Sequence, residues 1–105
     1  MTREELESYI LQMPNARLEF PFDEKTAVYK TNDKMFALLA EESDPIRISL
    51  KVDPQLGELL REKYESVQPG YHLNKRHWIT ILLTGQLSDD EVKDLIRHSH
   101  ELVKE

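Results

Sequence analysis

Between Ala16 and Val52 the chain repeatedly takes up the period of two that marks strands, with only short turns between the runs. Ala16, Leu18 and Phe20 alternate with Arg17 and Glu19, the pattern of a half-buried strand, and Pro21 closes it. Phe22-Asp23-Glu24-Lys25 reads as a turn, Ala27 to Lys30 as a short strand, and Asn32-Asp33 again as turn chemistry. Met35 to Ala40 is a nearly continuous apolar run, the composition of a central strand covered on both faces. A polar loop from Glu41 to Pro45 follows. Ile46, Ile48, Leu50 and Val52 then point one way while Arg47, Ser49 and Lys51 point the other. Such closely spaced strands form an antiparallel meander, because a parallel crossover needs a dozen or more residues.

Helices bracket this block. Thr2 and Glu5 form a capping box, with Leu6, Tyr9, Ile10 and Met13 on one face and Pro14 as terminator. Asp53 caps a second helix with Pro54 at its first position, and Leu56, Leu59, Leu60 and Tyr64 are its expected apolar face. Gly57 inside that helix costs about 1 kcal/mol against Ala, which a close approach to the sheet would explain. Pro69-Gly70 is a turn, His77 to Leu83 a strand and Gly85 another turn. Ser88 and Glu91 make a second capping box, before a stripe of Val92, Leu95, Ile96, Ser99, Leu102 and Val103. The expected fold is two-layer α+β, α-β(3-4)-α-β(1-2)-α, with helices packed on a twisted antiparallel sheet. At 105 residues the expectation is one domain, 1–105, burying about 65% of its unfolded surface.

The absence of cysteine excludes disulfides, thiolate metal sites and Cys nucleophiles. The mixed polar start T-R-E-E-L-E is neither a signal peptide nor a membrane span, so a cytoplasmic protein without a membrane partner is expected. Fourteen Lys and Arg against twenty Asp and Glu leave a net charge of −6, which repels polyanions at long range. A nucleic-acid role must then rest on a local basic patch.

Two blocks carry a resemblance. The first is F-P-F at Phe20 to Phe22, V-Y-K at Val28 to Lys30 and K-M-F-A-L-L from Lys34 to Leu39. The second is K-V-D-P at Lys51 to Pro54, L-R-E-K-Y from Leu60 to Tyr64 and P-G-Y-H-L-N-K-R-H-W from Pro69 to Trp78. With H-S-H-E-L-V from His98 to Val103, these resemble the MmcQ/YjbR family over almost the whole chain. Leu73, Ile79 and His100 stand where that family usually carries Met, a small polar residue and Tyr. The resemblance implies a curved antiparallel sheet similar to that of type III secretion chaperones. It also implies a non-enzymatic DNA-binding role with a double-wing arrangement.

The candidate site is the loop His72, Asn74, Lys75, Arg76, His77 and Trp78. Lys75 and Arg76 would meet phosphates, Trp78 or Tyr71 would offer a stacking plane, and Arg47 and Lys51 would extend the patch. The bland account makes Trp78 core, has His72 and His77 cap the loop, and leaves Lys75 and Arg76 solvated. The alternative partner is a protein, bound on the exposed sheet face or an edge strand. A serine nucleophile beside His72 and His77 would have to be Ser49, Ser66 or Ser99, none of them in a recognisable motif. No cofactor or metal is expected, since His98 and His100 lie two apart on a helix and point to different faces. The acidic run Glu41-Glu42-Ser43-Asp44 is expected to be a solvated loop.

Overall fold

The computed structural model describes residues 1–40 and 42–104; Glu41, which opens the acidic run, lies outside them. The elements run α1 (Arg3–Leu11), β1 (Arg17–Glu19), β2 (Thr26–Thr31), β3 (Lys34–Ala40), β4 (Arg47–Lys51), α2 (Pro54–Lys63), β5 (Val67–Pro69), β6 (Trp78–Leu82) and α3 (Asp89–Val103). All six strands join one curved antiparallel sheet in the order β1-β2-β3-β4-β6-β5. The expected meander is β1 to β4, and the β2–β3 hairpin turns on Asn32 and Asp33 at φ 53° and 62°. Two consecutive positive φ values form a type I′ turn, whose twist matches that of the strands it joins.

β5 is the strand the sequence hides. Val67, Gln68 and Pro69 are too few to show alternation, and Pro69 is tolerated because β5 is the outermost strand. β6 lies between β5 and β4, pairing Ser49 with Thr80 and Lys51 with Trp78.

One apolar core lies between the sheet and the helices. Leu6 and Ile10 of α1 meet Ile96 and Val103 of α3 there, over Tyr29, Leu39, Ile48, Leu50, Ile79 and Ile81 from the sheet. Val52 is buried as expected. Gly57 faces the sheet: a Cβ added there would lie 2.9 Å from Val52 Cγ1 and 3.6 Å from Ile79 Cγ2, which explains a glycine inside a helix.

Several expected core positions fall outside it. Leu59 is 63% exposed, because at 100° per residue it sits some 200° from Gly57, away from the sheet. Leu102 is exposed at 44%, and His100 takes its place in the buried stripe of α3. Leu18 shares a face with its partner Tyr29 but lies on the edge strand, and Phe20, expected on the inward side of that strand, is exposed, as is Phe22 in the turn that follows. β3 is interior in the sheet, yet only one of its faces is fully buried: Phe36, Ala37 and Leu39 are, while Leu38 and Ala40 are half-buried. No helix among the described residues is long and apolar enough to cross a membrane.

Three consecutive residues of α3 tie the layers together. His98 Nε2 accepts the Asp53 N–H at 3.2 Å, beside the start of α2. Ser99 Oγ accepts the Lys51 N–H at 2.9 Å and donates to the Phe36 carbonyl at 2.5 Å. His100 Nε2 donates to the Pro14 carbonyl at 2.8 Å, and its ring meets Phe36 edge-on.

Both capping boxes form. The Thr2 backbone N–H holds the Glu5 carboxyl below its ordinary value of 4.5, and the Ser88 N–H, followed by the Tyr64 hydroxyl, does the same for Glu91. A carboxyl with a lowered folded pKa stabilises fully above its unfolded value and loses that contribution as pH falls through the folded one. Thermal melting between pH 6 and 3 is therefore expected to fall below about pH 4.5, and Glu91→Gln to flatten that acid limb; an unchanged limb refutes the assignment. Ser99→Ala strands the Lys51 N–H and the Phe36 carbonyl, and should cost about 2–4 kcal/mol. The check is a lower urea midpoint at unchanged slope, with a wild-type midpoint as the contrary result.

Candidate nucleic-acid interface

The loop 70–77 connects β5 to β6 and folds back on itself. The Gly70 N–H donates to the Trp78 carbonyl at 3.0 Å, the Leu73 N–H to the Gly70 carbonyl at 3.3 Å, and Lys75 Nζ to that same Gly70 carbonyl. Asn74 Oδ1 accepts the Arg76 and His77 N–H groups at 2.9 and 3.1 Å, an Asx turn that spends this oxygen on the loop. His72 holds a left-handed φ of 57°, and the His77 carbonyl accepts the Val52 N–H at 2.9 Å, adding a rung beyond β4–β6. His72, Asn74, Lys75, Arg76 and His77 all present exposed side chains.

Trp78 does not. It is 8% exposed, its Cβ lies close against Gly70, and it is unavailable as a stacking plane, which corrects that expectation. Tyr71 is the aromatic that remains, at 55% exposure. The Arg47 guanidinium lies 4.8 Å from its ring centroid and the His72 ring 4.0 Å from it on a tilted approach. The Tyr71 N–H donates to Thr80 Oγ1 at 2.9 Å, and that oxygen lies 2.8 Å from Ser49 Oγ. Loop and sheet are thereby joined on the face away from the helices, where Arg47, Ser49 and Lys51 also point. Arg47 and Lys51 are half-buried.

Four cations without a carboxylate partner among the described residues are gathered here, while Arg61, Lys63 and Lys93, which likewise make no such pair, lie on α2 and α3. Arg17, Lys25, Lys30, Arg97 and Lys104 each lie within 4 Å of a carboxylate. Among the described residues, Arg47, Lys51, Lys75 and Arg76 make no such pair. A chain with six surplus negative charges thus keeps four uncompensated cations on one strand face and its neighbouring loop.

The open face also carries polar groups that sequence reasoning missed as a site. Thr80 had no motif to mark it, and Ser49 figured only as one of three conceivable nucleophiles. The signal was the alternation that set Ser49 on the face of Arg47 and Lys51. The Ser49 hydroxyl meets Thr80, that of Ser99 meets backbone, and Ser66 is buried; among the described residues no serine hydroxyl bonds a histidine. No group of three His, Asp or Glu side chains among them is arranged to hold a metal ion. Of the acidic run, Glu42 is exposed and pairs with Lys25 at 3.4 Å.

The family model described as YjbR matches residues 11–102. The chain is 38% identical over 101 residues to the uncharacterized protein YjbR of Escherichia coli K12, covering 96% of this chain and 86% of that one. It is 39% identical over 93 residues to the uncharacterized protein YbdF of Escherichia coli O157:H7, covering 89% and 76%. Among solved structures, a Deinococcus radiodurans protein with the DUF419 domain superposes with a TM-score of 0.90 at 42% identity, over 96% of this chain and 77% of that one. A Pseudomonas syringae protein superposes at 0.84 with 35% identity, over 98% and 99%.

Gly70 is the position on which the loop's geometry turns. A Cβ there would lie 2.6 Å from Trp78 Cβ and 3.2 Å from its backbone carbon, with no flexible tip to yield. Gly70→Ala is expected to destabilise by about 1–3 kcal/mol and to shift the amide resonances of residues 71–77. Wild-type stability and an unchanged loop spectrum would refute this packing.

Proposed function

Because the chain belongs to the YjbR family, we propose that it is a non-enzymatic DNA-binding protein that holds the phosphate backbone through the loop 70–77 and the adjoining face of β4. The observation that carries this reading is the gathering of four cations, Arg47, Lys51, Lys75 and Arg76, on one strand face and its neighbouring loop, none of them within 4 Å of a carboxylate among the described residues. In a net-acidic chain, uncompensated cations beside an exposed aromatic ring suit an anion with a stackable neighbour. Arg76, exposed at the loop tip, meets phosphate directly. Lys75 reaches out by releasing the Gly70 carbonyl. Of the two rings that could stack, Tyr71, backed by Arg47, takes that role. Asn74, His72 and His77 shape and flank the loop. Neither Ser49, bonded to Thr80, nor Ser99, bonded to backbone, has a histidine as hydrogen-bond partner among the described residues, which supports a binding role over a nucleophilic one.

Electrostatics set the expected strength. Two to four neutralised phosphates give a slope of log K against log salt of about −2 to −4, with non-specific dissociation constants of about 10⁻⁴ to 10⁻⁶ M. The net charge of −6 opposes long-range steering and leaves only short-range contact. A second reading, a protein-interaction module, has its own support in the exposed Leu18, Phe20 and Phe22 at and after edge strand β1.

Fluorescence anisotropy of labelled duplex DNA at about 50 and 200 mM salt tests the proposal. Wild type should bind more weakly at the higher salt, and Lys75→Ala/Arg76→Ala should lower the slope by about 2. A folded protein that does not bind at low salt overturns the DNA reading and leaves the β1 end as the surface to pursue.

A further inference from the structure

Beneath Tyr71 the open face of the sheet is indented by a notch of about 90 Å³, enough for a few waters. Leu38 and Ala40 give it apolar lining, and Thr26, Arg47, Ser49 and Thr80 supply its polar groups. Counting hydrogens shows that these groups are not satisfied internally. Ser49 and Thr80 carry one hydroxyl hydrogen each, and the single bond between them at 2.8 Å uses one, whichever atom donates. Thr80 Oγ1 is otherwise occupied as acceptor of the Tyr71 N–H. One O–H therefore has no acceptor among the described residues, on side chains only 7% and 3% exposed. A buried donor without an acceptor is unfavourable, and a ligand oxygen that accepts from it relieves that cost. The half-buried Arg47 guanidinium has the Tyr71 face beside it, but no carboxylate and no side-chain hydrogen bond among the described residues.

A spare hydroxyl donor, a half-buried guanidinium and no carboxylate in the lining call for an oxyanion. We propose that this notch seats one phosphate group, with Arg47 bound to two of its oxygens and the Ser49–Thr80 pair donating to a third. The planar guanidinium fork matches a tetrahedral phosphate, and the ring of Tyr71, against which the guanidinium lies, holds that fork in place. The seat deepens the DNA-binding reading and rests on it for one source of the phosphate, a backbone phosphodiester; the other source is a free phosphate or phosphomonoester. Lys75 and Arg76 lie outside the notch, so the seat and the loop separate experimentally.

The test is an amide-resolved NMR titration of the full chain with inorganic phosphate, in parallel with dimethyl phosphate, against sodium chloride at matched ionic strength. The amides of Ser49, Tyr71 and Thr80 should shift together and saturate on one curve. Arg47→Ala should weaken phosphate binding about tenfold or more, as befits loss of a bidentate charge-assisted contact. Arg47→Lys should lose part of that, and Ser49→Ala should weaken binding with the arginine intact, a second route if Arg47→Ala fails to fold. Lys93→Ala, on α3 and away from both notch and loop, should leave phosphate binding as in wild type. Shifts that do not saturate, that scatter over unrelated lysines, or that persist in Arg47→Ala overturn the seat. Binding of the diester points to DNA backbone, and binding of inorganic phosphate alone points to a free phosphate or monoester. Duplex DNA bound without movement of the three amides defeats the seat and spares the DNA reading, whereas a saturating seat with no DNA binding does the reverse.

Discussion

The paired register of strands β3 and β4 ends at Ala37 and Leu50, and past that point the hydroxyl of Ser99 stands between them, accepting from Lys51 and donating to Phe36. Two backbone groups at the middle of the sheet are satisfied by a side chain from the other layer, so sheet and α3 cannot shift independently. The residues on either side extend the tie. Successive helical side chains point about 100° apart, which sends His98 to the start of α2 and His100 to the Pro14 carbonyl between α1 and β1. A sequence stretch that invites reading as a metal-binding histidine pair is thus a three-way structural anchor.

The same anchoring makes the sheet one-sided. The helices contribute to a single core on one face, and the other face is left to Arg47, Ser49, Lys51 and Thr80, with the loop 70–77 folded across one end. Because Pro69 ends β5 and Gly70 lets the chain pass close to Trp78, the loop crosses the sheet instead of extending from it. Trp78 is lost to packing by that close approach, and Tyr71 is brought over Arg47. The electrostatic consequence is local: carboxylates pair with Arg17 and Lys30 at the β1 end and with Arg97 on α3, while among the described residues the β4 face and the loop keep their cations uncompensated.

Hydrophobic alternation and capping chemistry were enough to lay out most of the fold. The inward set Ile48, Leu50 and Val52, both capping boxes, the Asn32-Asp33 turn and the Asp53-Pro54 helix start all express local rules, and they stand where the residues indicate. Apolar identity misled where burial depends on what lies opposite. Leu59, Leu102 and Phe20 are apolar but exposed, and His100 is buried because the Pro14 carbonyl and Phe36 receive it. β5 escaped because three residues hold no period, and their strand character exists only through pairing with β6.

The candidate site divides in the same way. Its charges and its loop were legible in order along the chain: the Pro-Gly turn, the run from His72 to Trp78, and Arg47 and Lys51 on the non-core phase of β4. Composition also fixed the net charge against which any patch must work. Tertiary structure decided which members act together. Strand pairing across 31 positions set Ser49 against Thr80, and the loop's return placed Tyr71 over Arg47. The physical reason is range: helix caps, turns and alternation depend on neighbours within a few residues, whereas a notch is defined by atoms that meet only once the sheet has closed.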